Sequence, residues 1–189
     1  MARTLLVYLH GKGADPSAHS ELIQKIAARH NAEILALKAP FPHKDGFMWF
    51  GKTGRTEPRR INIDQFNQSV EYIISQVEQS LNCRECKWDN VILCGHSQGG
   101  MMALHLGLTM SPAKVISICG DFPPDISYSA TIDKNVPLIW IEAGKDDFLS
   151  QQRKDSWQKL RDWGCNLHFR RSPQSTHNHL CPEIIDLIE

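Results

Sequence analysis

Residues 89–110, DNVILCGHSQGGMMALHLGLTM, decide the fold. Val91 to Cys94 is an unbroken apolar run of strand length, and Gln98 to Met110 is a run of small and apolar residues that suits a buried helix. Between them stands Gly95-His96-Ser97-Gln98-Gly99, a G-x-S-x-G motif at an expected strand-to-helix turn. Such a turn holds its serine in a strained backbone conformation and projects the hydroxyl from the sheet, while glycine on either side lets neighbouring backbone approach. Gly100 extends that small-residue surface. A lone match to these letters is commonly an ordinary glycine turn. The strand before Ser97 and the helix after it make a nucleophilic serine the better reading.

Outward from this turn, apolar runs of strand length alternate with segments of helical period, the pattern of βα units and a mostly parallel sheet. RTLLVYLH (3–10), AEILALKAP (32–40), KVISICG (114–120), VPLIWIEAG (136–144) and CNLHFRRS (165–172) read as strands. Helices are expected over residues 17–30, 62–82, 150–163 and 182–189, with Asp64 placed to favour the first turn of the second. Residues 40–60 are rich in Gly, Pro and Lys yet carry Phe41, Phe47, Met48, Trp49 and Phe50, too aromatic for a plain linker. The expectation is one α/β domain over residues 1–189, with a mostly parallel central sheet and helices on both faces.

A serine hydroxyl is a poor nucleophile at neutral pH; it needs a base, and the base needs a carboxylate to orient it. On a fold of this kind the order along the chain is Ser, acid, His. VPLIWIEAG is followed at once by Lys145-Asp146-Asp147, and CNLHFRRS by Ser175-Thr176-His177-Asn178-His179. Both groups arise at the carboxyl ends of strands, where open α/β sheets place their sites. Singly each is weak, since an Asp after a strand is usually a turn or cap residue and a loop His is usually solvated. Their joint order carries the reading. Asp146 or Asp147 is then the acid, and His177 or His179 the base. The tetrahedral oxyanion needs two N–H donors, one from the residue after the nucleophile, Gln98, and one from a loop after an early strand. His10-Gly11-Lys12-Gly13 follows the first strand, so Lys12 N–H is the natural second donor. That loop lacks the dinucleotide and P-loop glycine patterns, which argues against nucleotide binding.

Lys plus Arg and Asp plus Glu number 21 each, so the chain has no electrostatic footprint for nucleic acid or an anionic membrane surface. A small or lipid-like acyl ester is the better substrate. The apolar N-terminal run is broken by Tyr8 and His10 and reads as a strand, not a signal peptide. No segment approaches the roughly 18 apolar residues of a membrane helix. A cytoplasmic location is therefore expected. The cysteines are scattered, and Cys83-Arg-Glu-Cys86 has no second C-x-x-C to complete a zinc site, so free thiols at a helix end are the simpler reading. His10, His19, His43, His96 and His105 form no recognisable ligand motif and read as structural; neither metal nor cofactor is expected.

LHGKGAD (9–15), Ala39-Pro40 with the Trp49-Phe50 loop behind it, GHSQGGMMAL (95–104), GKDD (144–147) and the late His loop together resemble the phospholipase/carboxylesterase family of α/β-hydrolases, which includes acyl-protein thioesterases. The resemblance spans nearly the whole chain. It implies the α/β-hydrolase fold and hydrolysis of esters or thioesters without a cofactor, in an open site with no large lid. It also implies Asp147 as the acid, His177 as the base, and Lys12 and Gln98 as the oxyanion donors. Phe41, Trp49, Phe50, Phe122 and Phe148 lie in loops where an acyl pocket could form, although loop aromatics more often cover a core. Competing readings are an acyltransferase, a lactone or peptide hydrolase using the same triad, and a non-catalytic binding protein on the same scaffold.

Overall fold

The alternation of strands and helices is borne out in the computed structural model, which describes residues 4–53, 60–122, 132–144 and 151–188. β1 (Thr4–Leu9) leads through α1 (Ser20–Arg29) to β2 (Ala32–Leu37). The aromatic-rich stretch contains two small antiparallel ribbons, β3 (Phe41–His43) with β4 (Gly46–Met48) and β5 (Lys52–Thr53) with β6 (Arg60–Ile61). Then follow α2 (Ile63–Asn82), β7 (Val91–His96), α3 (Gln98–Met110), β8 (Lys114–Ile118), β9 (Leu138–Ala143), α4 (Gln151–Asp162) and β10 (Leu167–Ser172). The segment expected as a helix over 182–189 is instead a 3-10 turn over Pro182–Leu187. A stretch this short gains little from an α ladder, and a tight turn already buries Ile184.

Local sequence explains where the helices begin. The Asn62 side chain accepts the Gln65 N–H at 3.2 Å and caps α2. Phe66, Ile73, Val77 and Leu81 then recur at helical spacing and are buried. In α3 almost every residue is apolar or glycine, because this helix is covered by the sheet on one side and by neighbouring elements on the other.

The strands order as β10-β9-β8-β7-β1-β2, and every neighbouring pair is parallel. The chain steps from β1 outward to β2, then returns to the other side of β1 and proceeds through β7 to β10. Right-handed crossovers made in opposite directions put their helices on opposite faces of the sheet. Accordingly α1 packs with Leu6, Tyr8, Ile92 and Cys94 on one face, while α2, α3 and α4 cover Leu5, Val7, Leu93 and Trp140 on the other. Both faces being covered, β1 and β7 are continuous apolar runs. The direction reverses between β1 and β7, and a crevice opens beyond the carboxyl ends of strands at such a point. Both the His10–Gly13 loop and Ser97 emerge there. No described helix is long and apolar enough to cross a membrane.

Candidate active site

Ser97 stands between β7 and α3 with φ 52° and ψ −115°, a conformation that costs a residue with a Cβ free energy and that survives only where its surroundings enforce it. The enforcement is visible. Ser97 N–H donates to Ile118 O at 2.8 Å, tying the turn to the end of β8. A Cβ at Gly95 would overlap the Gly99 carbonyl, and one at Gly99 would overlap the Leu9 carbonyl. Both motif glycines are thus required by close approach of backbone, and the start of α3 is laid against the end of β1.

The loop after β1 borders the serine directly. A Cβ at Gly11 would lie 2.9 Å from His96 Nδ1 and 3.5 Å from Ser97 Cβ. Buried His10 fixes this loop. Ala39 N–H donates to its Nε2 at 3.1 Å, so the ring proton sits on Nδ1 and is donated to Gly11 O at 2.8 Å. Burial lowers the pKa of His10 and favours this neutral form. On the far side of Lys12, Gly13 N–H donates to Phe47 O at 2.7 Å and Phe47 N–H to Ala14 O at 2.9 Å. Among the described residues neither the Lys12 N–H nor the Gln98 N–H donates to a backbone acceptor outside the helices and strands.

The Gln98 side chain has a separate task. Its Oε1 accepts Trp49 N–H at 2.8 Å and its Nε2 donates to Phe50 O at 2.7 Å, clamping the loop after β4 against the serine turn. Trp49 Nε1 donates to His10 O at 2.8 Å and joins that loop to the one after β1. Of the aromatic residues expected around an acyl pocket, Trp49, Phe50 and Phe122 are buried in the core and Phe41 is half-buried on β3. Phe148 lies outside the described residues.

His177 Nε2 lies 3.0 Å from Ser97 Oγ. The two residues meet because the loop after β10 folds back over the sheet. Buried Ser172 and Ser175 share a hydrogen bond of 2.6 Å, and the Ser172 hydroxyl and Gln174 N–H both donate to Glu183 Oε1, at 2.9 and 3.1 Å. Ser175 Oγ also accepts Cys181 N–H at 2.9 Å. His179, the other candidate base, is exposed. Asp146 and Asp147 lie outside the described residues. Their segment follows β9, whose last residue Ala143 pairs with Ser172, and Gly144 N–H donates to Ser172 O at 2.7 Å. β9, which Asp146 and Asp147 follow in sequence, and β10, which His177 follows, therefore end side by side.

Several polar residues that sequence reasoning passed over frame this region. Glu142, 1 % exposed, accepts from Trp140 Nε1 at 2.6 Å and from Arg153 Nη1 at 2.9 Å. Asp121, after β8, accepts Phe122 N–H at 2.8 Å, and burial raises its pKa. No motif marks these residues or the Ser172, Ser175 and Glu183 set, because part of each network, such as Arg153 against Glu142 or Glu183 against Ser172, comes from another element. Among the described residues no group of three or more His, Cys, Asp or Glu side chains could hold a metal ion. Cys83, at the C-cap of α2, and Cys86 form no disulfide.

A six-stranded parallel sheet with a strained serine at its switch point and a histidine against the hydroxyl defines the α/β-hydrolase class. The chain belongs to the phospholipase/carboxylesterase family, whose model matches residues 1–188, and is thereby a hydrolase of the esterase type. Among solved structures it is similar to esterase PE8, with a TM-score of 0.82 and 23 % identity over 98 % of this chain and 89 % of that one. Arabidopsis thaliana SOBER1 matches with a TM-score of 0.78 and 20 % identity over 98 % and 95 % of the two chains. A carboxylesterase from Mesorhizobium loti matches at 0.77 and 19 % over 97 % and 85 %. Identities this low establish the shared fold. No curated protein matches the chain in sequence at a significant level.

Proposed function

We propose that the chain hydrolyses carboxylic esters or thioesters through an acyl-serine intermediate, with Ser97 as nucleophile, His177 as general base and Asp147 as the carboxylate that orients it. The observation that carries this reading is the 3.0 Å approach of His177 Nε2 to the Oγ of a serine held at positive φ. In the acylation step the Ser97 hydroxyl gives its proton to His177 Nε2 as Oγ bonds to the acyl carbon, and His177 then returns that proton to the leaving alcohol or thiol. Water repeats the sequence on the acyl-serine and releases the acid. The N–H groups of Lys12 and Gln98 receive the oxyanion in both steps. The substrate is a small-molecule or lipid-like acyl ester, in keeping with the balanced charge of the chain. Labelling with a fluorophosphonate, mapped by mass spectrometry and run beside acyl esters and thioesters of graded chain length, tests it. Modification at Ser97 with turnover of at least one series is expected. Failure to label, or labelling elsewhere, would sink the proposal.

A further inference from the structure

His96 precedes the serine and ends β7, and its side chain is buried at 6 % exposure. Its ring stands edge-on to His19 at 4.7 Å and tilted against the His177 ring at 5.3 Å. Its Nδ1 edge borders Gly11, where any Cβ would intrude to 2.9 Å. Its Nε2 lies 2.8 Å from the backbone oxygen of His177. A carbonyl oxygen only accepts, so Nε2 carries the proton and donates it. One imidazole thus touches the loop after β1, the serine turn and the loop that bears the base.

Other anchors of the base loop run elsewhere. The Ser172, Ser175 and Glu183 bonds tie it to the end of β10 and to the final 3-10 turn. The His96 bond ties it to the residue covalently joined to the nucleophile. Ser97, His96 and His177 therefore close a ring of contacts: a peptide bond, the 2.8 Å bond to the His177 carbonyl, and the 3.0 Å approach of its ring to Ser97 Oγ. Because proton transfer depends on holding the base within hydrogen-bond reach of the hydroxyl, fixing its backbone to the nucleophile's own strand sets that distance directly.

We infer that His96 is a positioning residue for the base, acting through its hydrogen bond to the His177 carbonyl. The inference rests on the triad reading proposed above.

His96→Phe keeps a ring of similar size but removes the donor, whereas His96→Gln places an amide N–H near the position of Nε2. His96→Phe should lower kcat and the fluorophosphonate labelling rate by about 10- to 100-fold while leaving KM within about twofold, the pattern of misplacement rather than lost binding. His96→Gln should recover to within about fivefold of wild type. In a His177→Ala background, His96→Phe should reduce the residual labelling no further. Should His96→Phe fail to fold by thermal melting, His96→Asn, whose shorter amide cannot span to the carbonyl, takes its place against His96→Gln. A kcat for the donorless variant close to wild type, a Gln variant no better than it, or a further loss in the His177→Ala background would overturn the inference. An active His177→Ala would bring down the triad reading and this inference with it, whereas a dead His177→Ala beside an unimpaired His96→Phe removes the inference alone.

Discussion

Thr176 and His179 bond each other in both directions: Thr176 N–H donates to His179 O at 2.9 Å, and His179 N–H to Thr176 Oγ1 at 3.0 Å. This closes a turn with His177 at its tip. In an extended segment two residues two apart would point the same way. Here they diverge, His177 toward Ser97 and His179 into solvent. His177→Ala should accordingly lose nearly all turnover, on the order of 10^3-fold or more, while His179→Ala changes it only a few-fold. Steady-state assays of the two variants decide the matter, and an active His177→Ala beside a dead His179→Ala would transfer the role.

In the proposed mechanism Ser97 combines chemistry with strain, and two substitutions separate them. Ser97→Ala removes the hydroxyl but keeps a Cβ at φ 52°, so activity should fall about 10^4-fold or more with the melting temperature little changed. Ser97→Gly is equally inactive but relieves a backbone cost of about 1–3 kcal/mol, offset by roughly 0.5–1 kcal/mol of added chain entropy in the unfolded state. The glycine variant should therefore melt at or above the temperature of the alanine variant. A clearly lower melting temperature for it would show that the turn stores no strain.

Of the adjacent carboxylates, Asp147 is the one the family pattern assigns as acid. Asp147→Asn should cost turnover far more than Asp146→Asn, by about two orders of magnitude or more, since an amide no longer stabilises the imidazolium and favours the wrong tautomer. The kcat values of the two variants are the check, and the opposite ranking would move the assignment by one residue.

Most of the sheet and the serine turn could be read directly from the sequence, and the physical reason is locality. β7, the turn and α3 are specified by contiguous residues, an apolar run, two glycines forced by backbone contact, and a run of small helix residues. Strands buried on both faces announce themselves as continuous apolar segments. What stayed hidden depends on distant partners. Trp49 and Phe50 look like loop aromatics in one dimension, and their burial depends on distant residues, among them the Gln98 amide, the His10 carbonyl, the Ser69 hydroxyl and the Phe66 ring. His96 reads only as a structural histidine inside the motif until the His177 carbonyl arrives at its Nε2. That His177 and not His179 faces Ser97 likewise depends on a reciprocal bond that periodicity does not encode.

Acid sensitivity should trace in good part to His105. This residue lies on α3 with its ring edge-on to Phe66 at 4.9 Å, and burial lowers its pKa from 6.5 to about 4. Between those values the unfolded chain binds a proton that the folded protein refuses. Stability is thus fully present above about pH 6.5, declines as the pH falls toward 4, and levels off below it with respect to this group. A shift of this size corresponds to a loss on the order of 3 kcal/mol across that window. Buried His10 and half-buried His19, whose pKa values are also lowered chiefly by desolvation, add in the same direction. Carboxylates that titrate below this range contribute their own acid dependence, so the informative quantity is a difference between proteins. Denaturant unfolding of wild type and His105→Leu at a series of pH values from 7.5 to 4 isolates it, because any difference in absolute stability is a constant offset while the slope reports the missing proton. The wild type should lose stability more steeply below pH 6.5, and the two curves should run parallel above it. Parallel curves throughout the range would mean that His105 takes up its proton in the folded protein without penalty, and that the acid sensitivity originates elsewhere.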